Sequence, residues 1–263
     1  MSAGLITNLR VIRALGMRSI RQTFRRPQFL APILVFPTLL LAIQVGGAGR
    51  AVDLPGFPEV NGFLDFMLAG AMLQSALLGA TSGGIAFAID IEMGFTDRLF
   101  AAPISRFSIV LGRLAGTTVL GALNAVWFVG IGLIFGARFE EGVLGVLVII
   151  ALVTFTATAL GGIGAALALR TGNASVLQGI FPLIFVILFL SSAFFPRALM
   201  LEPASSIAGW NPLSLVVEGM REPVISTFTS DVLAQCLASI TGITLLGLLL
   251  SAGALRHRER VGA

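Results

Sequence analysis

Long apolar stretches alternate with short polar segments along the chain. Six stretches of 23 to 28 residues contain no Asp, Glu, Lys or Arg. A helix that crosses the hydrocarbon core needs about 20 apolar residues, whereas barrel strands alternate over segments of about ten residues. The pattern therefore predicts an all-α polytopic membrane protein with six transmembrane helices in a single domain over residues 1–263. The predicted spans are Pro27–Gly49, Phe66–Ile89, Leu114–Ala137, Gly142–Leu169, Thr171–Pro196 and Val232–Leu255.

Two further segments have helical patterns but do not span. Residues 5–26 place Leu9, Ile12 and Phe24 on one side and most arginines elsewhere, which predicts a basic amphipathic helix in the inner interface. Residues 203–217 form an apolar stretch of 15 residues, too short for a core of about 30 Å. This stretch predicts one or two short outer helices that dip into the membrane and return.

A polar island at residues 90–105 separates the second and third predicted spans. Asp90 and Glu92 stand at its start, where carboxylates suit the positive end of a helix. Pro103 is expected to end that helix. Apolar residues such as Leu99 are interleaved with the charges, a pattern typical of a helix that lies on a surface or inserts into a partner's groove.

Composition excludes several classes of site. The chain is 56% hydrophobic and 11% charged, against about 25% charged residues in soluble domains. All 17 basic residues are Arg, so the lysine of a standard nucleotide-binding phosphate loop is missing. One His and one Cys make neither a zinc site nor an internal disulfide. We therefore expect no catalytic residue and no metal site.

The distribution of charge predicts the orientation. If both termini are cytoplasmic, 13 of the 17 arginines lie inside and nine of the 13 acidic residues lie outside, as the positive-inside rule requires. The arginines are then expected to contact anionic lipid, not nucleic acid. The absence of lysine and the abundance of Ala, Gly and Arg point to a GC-rich bacterial genome.

A few polar residues interrupt the spans. Gln44, Gln74 and Gln178 either line a translocation path or form hydrogen bonds between helices. No span has an ionisable residue near its middle, where ion-coupled transporters usually keep one.

Two motifs carry a family resemblance. The first comprises Glu92, Gly94, Asp97, Leu99 and Pro103 on the second-to-third connection. The second comprises Ser191–Pro196 followed by Asn211-Pro212-Leu213 and Glu218…Arg221. In this order, within a six-span frame, the chain resembles the membrane subunit of type-2 ABC exporters, the drug- and lipid-exporting permeases that include daunorubicin-exporter-like proteins.

The resemblance implies a mechanism and partners. Residues 90–105 would be the coupling helix that docks on a separate ABC ATPase dimer, which would hold the ATP and Mg²⁺, and residues 5–26 the connecting helix beside it. Two permease chains, identical or related, would pair around a path between their first, second and fifth spans. The implied coupling residues are Glu92, Gly94, Asp97, Arg98, Leu99 and Pro103. The implied outer gate residues are Phe194, Phe195, Pro196, Trp210, Asn211 and Pro212.

The sequence supports an exporter permease of the bacterial plasma membrane, with a hydrophobic or amphipathic cargo such as a drug, lipid or glycolipid. The alternative is a secondary transporter or channel that acts without an ATPase. A membrane-embedded enzyme or assembly factor is a third hypothesis, and it lacks a catalytic set.

Overall fold

The computed structural model describes residues 2–25, 27–102 and 104–261, and no strand occurs within these ranges. Short 3₁₀ helices cover Gly49–Asp53 and Arg197–Leu199. The α-helices are α1 (Ser2–Phe24), α2 (Pro27–Ala48), α3 (Phe63–Glu92), α4 (Phe95–Phe100), α5 (Arg106–Ile134), α6 (Gly142–Thr171), α7 (Ala174–Phe189), α8 (Ala204–Trp210), α9 (Pro212–Ile225) and α10 (Ser230–Val261).

Five helices in the described part are long and apolar enough to cross a membrane. They include α3, α5 and α6 in full, and they overlap five of the six predicted spans. Helix α5 begins eight residues before the predicted third span, at Arg106 instead of Leu114. The remaining span, Thr171–Pro196, contains α7, which has 16 residues and a length of about 24 Å. Asn173 caps its start by accepting hydrogen bonds from Ser175 N and Val176 N, and turns follow Phe189. The chain is thus an all-helical, multi-pass membrane protein.

Helix α3 is the centre of the bundle. Its residues 65–81 are buried without interruption, as expected for a helix that is apolar on all sides. Helices α2, α5, α6, α7 and α9 pack around it, while α10 packs on α6 and α9. The other helices are therefore positioned largely by their contacts with α3 and α6.

Glycine residues bring α3 and α6 into backbone contact. A Cβ atom built on Gly84 would lie 3.0 Å from the Gly164 carbonyl oxygen, and one built on Gly164 would lie 2.9 Å from that of Ala80. Such small residues permit close helix approach in membranes.

Helix α1 packs along α5 through small residues. Gly16 and Ser19 are buried there, whereas Leu9, Met17 and Phe24 are exposed. The helix begins earlier than predicted, and Arg26, at the end of the predicted connecting helix, lies outside the described residues. The exposed apolar side chains are consistent with a helix at the membrane interface.

The outer segment differs from its predicted bounds. Two short helices, α8 and α9, occur where the sequence predicts one or two, but α9 continues beyond Val217 to Ile225. Buried partners for Glu218 and Arg221, described below, allow the helix to continue through these charged residues.

We expect Gly70→Ala to destabilise the protein. A Cβ atom at Gly70 would overlap the Ala193 carbonyl oxygen, and overpacking of this kind costs about 1–3 kcal/mol. Thermal unfolding in detergent measures the effect. Gly130→Ala is the matched control, because no atom lies within 4 Å of a Cβ atom there. Equal melting temperatures for both variants would contradict the close packing of α3 against residue 193.

Candidate functional site

The turn between α3 and α4 forms the candidate site. The prediction that a short helix starts at Asp90 is wrong: α3 continues through Glu92, and α4 covers only Phe95–Phe100. Gly94 makes the turn with φ of 67°, a left-handed conformation that costs other L-residues about 1–2 kcal/mol. Asp90 and Glu92 therefore lie at the negative C-terminal end of α3, where carboxylates are disfavoured unless they are compensated.

Two arginines compensate Asp90, which is fully buried. Arg18 of α1 donates from Nη1 to Asp90 Oδ2 at 2.6 Å, and Arg113 of α5 donates from Nη2 to the same oxygen at 2.5 Å. Gln22 accepts from Arg113 Nη1 at 3.1 Å, and the Ala86 carbonyl accepts from Arg113 Nη2 at 3.0 Å. A single carboxylate thus joins α1, α3 and α5 through charge-assisted hydrogen bonds.

Helix α1 also contacts the connection that carries α4. The Arg18 guanidinium lies over the Phe95 ring, 3.8 Å from its centroid, in cation–π geometry. Asn8 Oδ1 accepts from Ser105 N, the residue before α5, at 3.2 Å. Contacts with α1 therefore hold both ends of the connection.

The two sides of α4 differ. Thr96 is buried, and Leu99 and Phe100 pack against a cluster of buried apolar residues from α3, α5, α6, α7 and α10. Asp97, Arg98 and Ala101, together with Met93 in the preceding turn, are exposed; we call these four residues the α4 surface. Leu99, one of the implied coupling residues, thus fixes α4 to its own bundle, while Asp97 and Arg98 face outward.

Glu92 connects the C-terminal end of α3 to the start of α7. Its Oε1 accepts from Ala174 N, the first residue of α7, at 2.8 Å. The carboxylate thus has an intramolecular partner at a helix N-terminus, where negative charge is favourable. Pro103, another implied coupling residue, lies outside the described residues.

The three glutamines predicted to line a translocation path or to join helices lie in different environments. Gln44 is half-buried on α2, Gln74 is buried in α3, and Gln178 is exposed on α7. Within the described residues, Gln74 Nε2 has no hydrogen-bond partner, and no hydrogen bond joins any two of the three glutamines.

The implied outer gate residues divide into two groups. Phe194, Pro196 and Asn211 are buried, whereas Phe195, Trp210 and Pro212 are exposed, with Trp210 91% exposed. Asn211 Oδ1 accepts from Leu213 N at 3.0 Å and caps α9. Its Nδ2 donates to the Ile187 carbonyl at 2.8 Å, so this residue joins the α8–α9 junction to α7.

A buried arginine holds the outer segment. Arg221 of α9 donates from Nε to the Phe66 carbonyl at 3.1 Å and from Nη2 to the Ser192 carbonyl at 2.9 Å. Nη2 also lies 3.2 Å from the Ala193 carbonyl oxygen. Glu218 accepts from Ser192 Oγ at 2.8 Å. Burial lowers the pKa of Arg221 to about 10, so the guanidinium remains charged at neutral pH.

Sequence reasoning missed the structural roles of Arg18, Arg113 and Arg221. One signal was available. Asp90 and Arg113 are the first and last residues of the connection between the second and third predicted spans. Opposite charges at adjacent helix ends favour pairing. The part of Arg18 depends on how α1 packs along α5, which the sequence pattern does not specify.

Comparisons with known proteins agree on one family. Residues 10–225 match the family described as "ABC-2 type transporter". The chain is 30% identical over 248 residues to "Putative transport permease ycf38" of Porphyra purpurea, covering 91% of this chain and 83% of that protein. The protein of the same name from Pyropia yezoensis is 29% identical over 216 residues, covering 80% and 72% of the respective chains.

A third relative carries a more specific name. It is the "Probable doxorubicin resistance ABC transporter permease protein DrrC" of Mycobacterium tuberculosis (strain CDC 1551 / Oshkosh). It is 24% identical over 156 residues, covering 57% of this chain and 54% of that protein.

We expect Asp90→Asn to destabilise the inner end of the bundle by about 3 kcal/mol, because removal of one member of a buried ion pair leaves uncompensated charge. Thermal unfolding in detergent measures the loss. Asp53→Asn, which neutralises an exposed carboxylate, should change stability by less than about 0.5 kcal/mol. The double variant Asp90→Asn/Arg113→Gln should recover part of the loss. Additive losses would contradict direct coupling of the two residues.

Replacement of Arg221 by Lys should weaken the attachment of the segment after α7, which contains Ser192 and Ala193, to α9. An ammonium group lacks the planar fork that reaches two separate chain segments, so a buried carbonyl loses its donor at a cost of about 1–3 kcal/mol. Limited proteolysis between residues 190 and 203 should become several-fold faster. Arg197→Lys, at an exposed position, is the control, and equal cleavage rates in both variants would refute the proposed role.

Proposed function

Because this chain belongs to the ABC-2 type transporter family and is the membrane subunit of an ABC transporter, we propose that it is the permease of an ATP-driven exporter. A separate ABC ATPase dimer would bind ATP and Mg²⁺ and carry out hydrolysis. This chain would contribute the translocation path and no catalytic residue. The absence of lysine supports this division of roles, since a standard phosphate loop requires one.

The connection of α4 to the spanning helices carries the proposal. Asp97 and Arg98 of the α4 surface are exposed, whereas Leu99 and Phe100 pack on the bundle. Arg18 contacts both Phe95 of α4 and Asp90 of α3. A force on α4 would therefore reach α1, α3 and α5 together.

The proposed cycle follows from this connection. ATP binding closes the ATPase dimer, and the two α4 helices of a permease pair move with it. Since the Asp90 carboxylate joins three helices, these helices move as one body and switch the path between inward and outward access. Asp97 and Arg98 would contact the ATPase directly, while Glu92, Gly94, Leu99 and Pro103 would fix the shape of the coupling connection.

A hydrophobic or amphipathic cargo is most consistent with the apolar spans. One relative is named for doxorubicin resistance, which supports a drug, and a lipid or glycolipid has the same amphipathic chemistry. Gln44, Gln74 and Gln178 remain the proposed polar residues of the path. The segment from Phe194 to Pro212 would close its outer end.

The proposed topology has six spans with both termini in the cytoplasm of a bacterium. In this arrangement α7 and the turn at residues 190–196 form the fifth span. Two permease chains, identical or related, would pair within the plasma membrane, and the inner arginines would contact anionic lipid.

Charge reversal at Arg98 tests the proposal. We expect Arg98→Glu to reduce recovery of the ATPase with the tagged chain at least tenfold, because misplaced charge at an interface costs several kcal/mol. The measurement is affinity purification from native membranes in mild detergent, followed by mass spectrometry for a Walker A protein. The control is Arg50→Glu, the same change on the opposite side of the predicted topology, and it should leave recovery unchanged.

One result would reverse the assignment. If the chain is purified alone and moves solute in liposomes without an ATPase, a secondary transporter or channel replaces the exporter. If the ATPase is recovered equally with Arg98→Glu, the α4 surface is not the docking site.

A further inference from the structure

An apolar cleft of about 290 Å³ lies between α3, α6, α7, α9 and α10. Its walls are formed mainly by Leu and Ile side chains, including Leu77, Leu160, Ile184, Ile243 and Leu246. Among the described lining residues, only Thr81 has a side-chain hydroxyl, and it donates to the Leu77 carbonyl at 2.9 Å. The described lining residues thus offer no unsatisfied side-chain group to hold water, and apolar cavities of this kind stay dry.

Exposed leucines lie in and beside the walls of the cleft. Three of its walls belong to α3, α6 and α10, which are candidate spans. Leu246 in the lining and its neighbours Leu245 and Leu249 are half or more exposed, as is Leu183 on the α7 side. In a membrane, the most abundant apolar groups around such exposed side chains are lipid acyl chains.

An exposed arginine follows the α6 wall of the cleft. The lining residues of α6 include Leu160, Ile163 and Leu167, which continue one stripe of the helix toward Arg170. Arg170 is one turn beyond Leu167, about 4.5 Å along the axis. It is exposed and has no ion-pair partner among the described residues. The α6 wall of the apolar cleft is thus followed, one turn further along the helix, by a positive charge.

We propose that this cleft binds one acyl chain of an anionic phospholipid, with the phosphate of the headgroup at Arg170. Its volume is about twice that of an apolar cavity that admits benzene, roughly 150 Å³, which suits a segment of a flexible hydrocarbon chain. The bound chain would fill the gap between α7 and α10. The proposal requires only that the protein lies in a membrane, and it does not depend on transport or on an ATPase.

Photolabelling tests the acyl-chain site. The purified chain is reconstituted in phosphatidylcholine vesicles that contain phosphatidylglycerol with a diazirine on one acyl chain, and labelled peptides are mapped by mass spectrometry. We expect labels on the lining residues of α7 and α10. Leu246→Trp, which places a larger side chain at a half-exposed position of the lining, should reduce them at least fivefold.

The matched control is Leu249→Trp. Leu249 is one turn further along α10, is 71% exposed and does not line the cleft, so labelling of the lining should be unchanged. Equal melting temperatures for the two variants would show that both are folded. Labels spread evenly over the lipid-facing helices, or retained in full in Leu246→Trp, would overturn the proposal.

A headgroup comparison tests the role of Arg170. The same diazirine chain on phosphatidylcholine, whose choline cation offsets the charge of its phosphate, should label the lining several-fold less than on phosphatidylglycerol. Arg170→Gln should abolish this difference. Arg256→Gln, at another exposed arginine, should preserve it. Equal labelling by both lipids in the parent protein would contradict recognition of an anionic headgroup.

Discussion

The buried carboxylate of Asp90 is the contact on which the inner end of the structure depends. A charged group that is removed from water is costly unless it is paired and hydrogen-bonded. Arg18 and Arg113 supply that pairing from two other helices. Because each arginine must lie within about 3 Å of the same carboxylate, the packing of α1, α3 and α5 is restricted to arrangements that satisfy it.

A second buried charge has the corresponding role at the outer end. Arg221 donates to main-chain carbonyls from α3 and from the segment after α7, and Asn211 connects the same region to α7. In the middle of the bundle the helices are joined by close packing, as at Gly84 and Gly164, and by neutral hydrogen bonds such as Asn124 Nδ2 to the Met72 carbonyl at 3.0 Å. Specific polar contacts at the ends and close packing between them suit a bundle whose helices move as units.

Asp90 and Glu92 lie at the end of α3 and not in the short helix that the sequence predicts. The sequence placed Asp90 and Glu92 at the start of a docking helix, where both would face a partner. In the structure, both belong to α3 and have partners within the chain. Under the proposed function, the surface left for an ATPase would be smaller and centred on Asp97 and Arg98, and Asp90 and Glu92 would transmit displacement to the spanning helices.

Hydrophobic length and motif order are properties of the chain, so the class of protein, the candidate spans α2, α3, α5, α6 and α10 and the family resemblance are predictable from the residues. Which charges are paired depends on the tertiary structure. Asp90 and Arg18 are 72 residues apart, and Arg221 and Phe66 are 155 residues apart. Periodicity places a side chain on a face of its helix, but the partner of that face depends on how all the helices pack together.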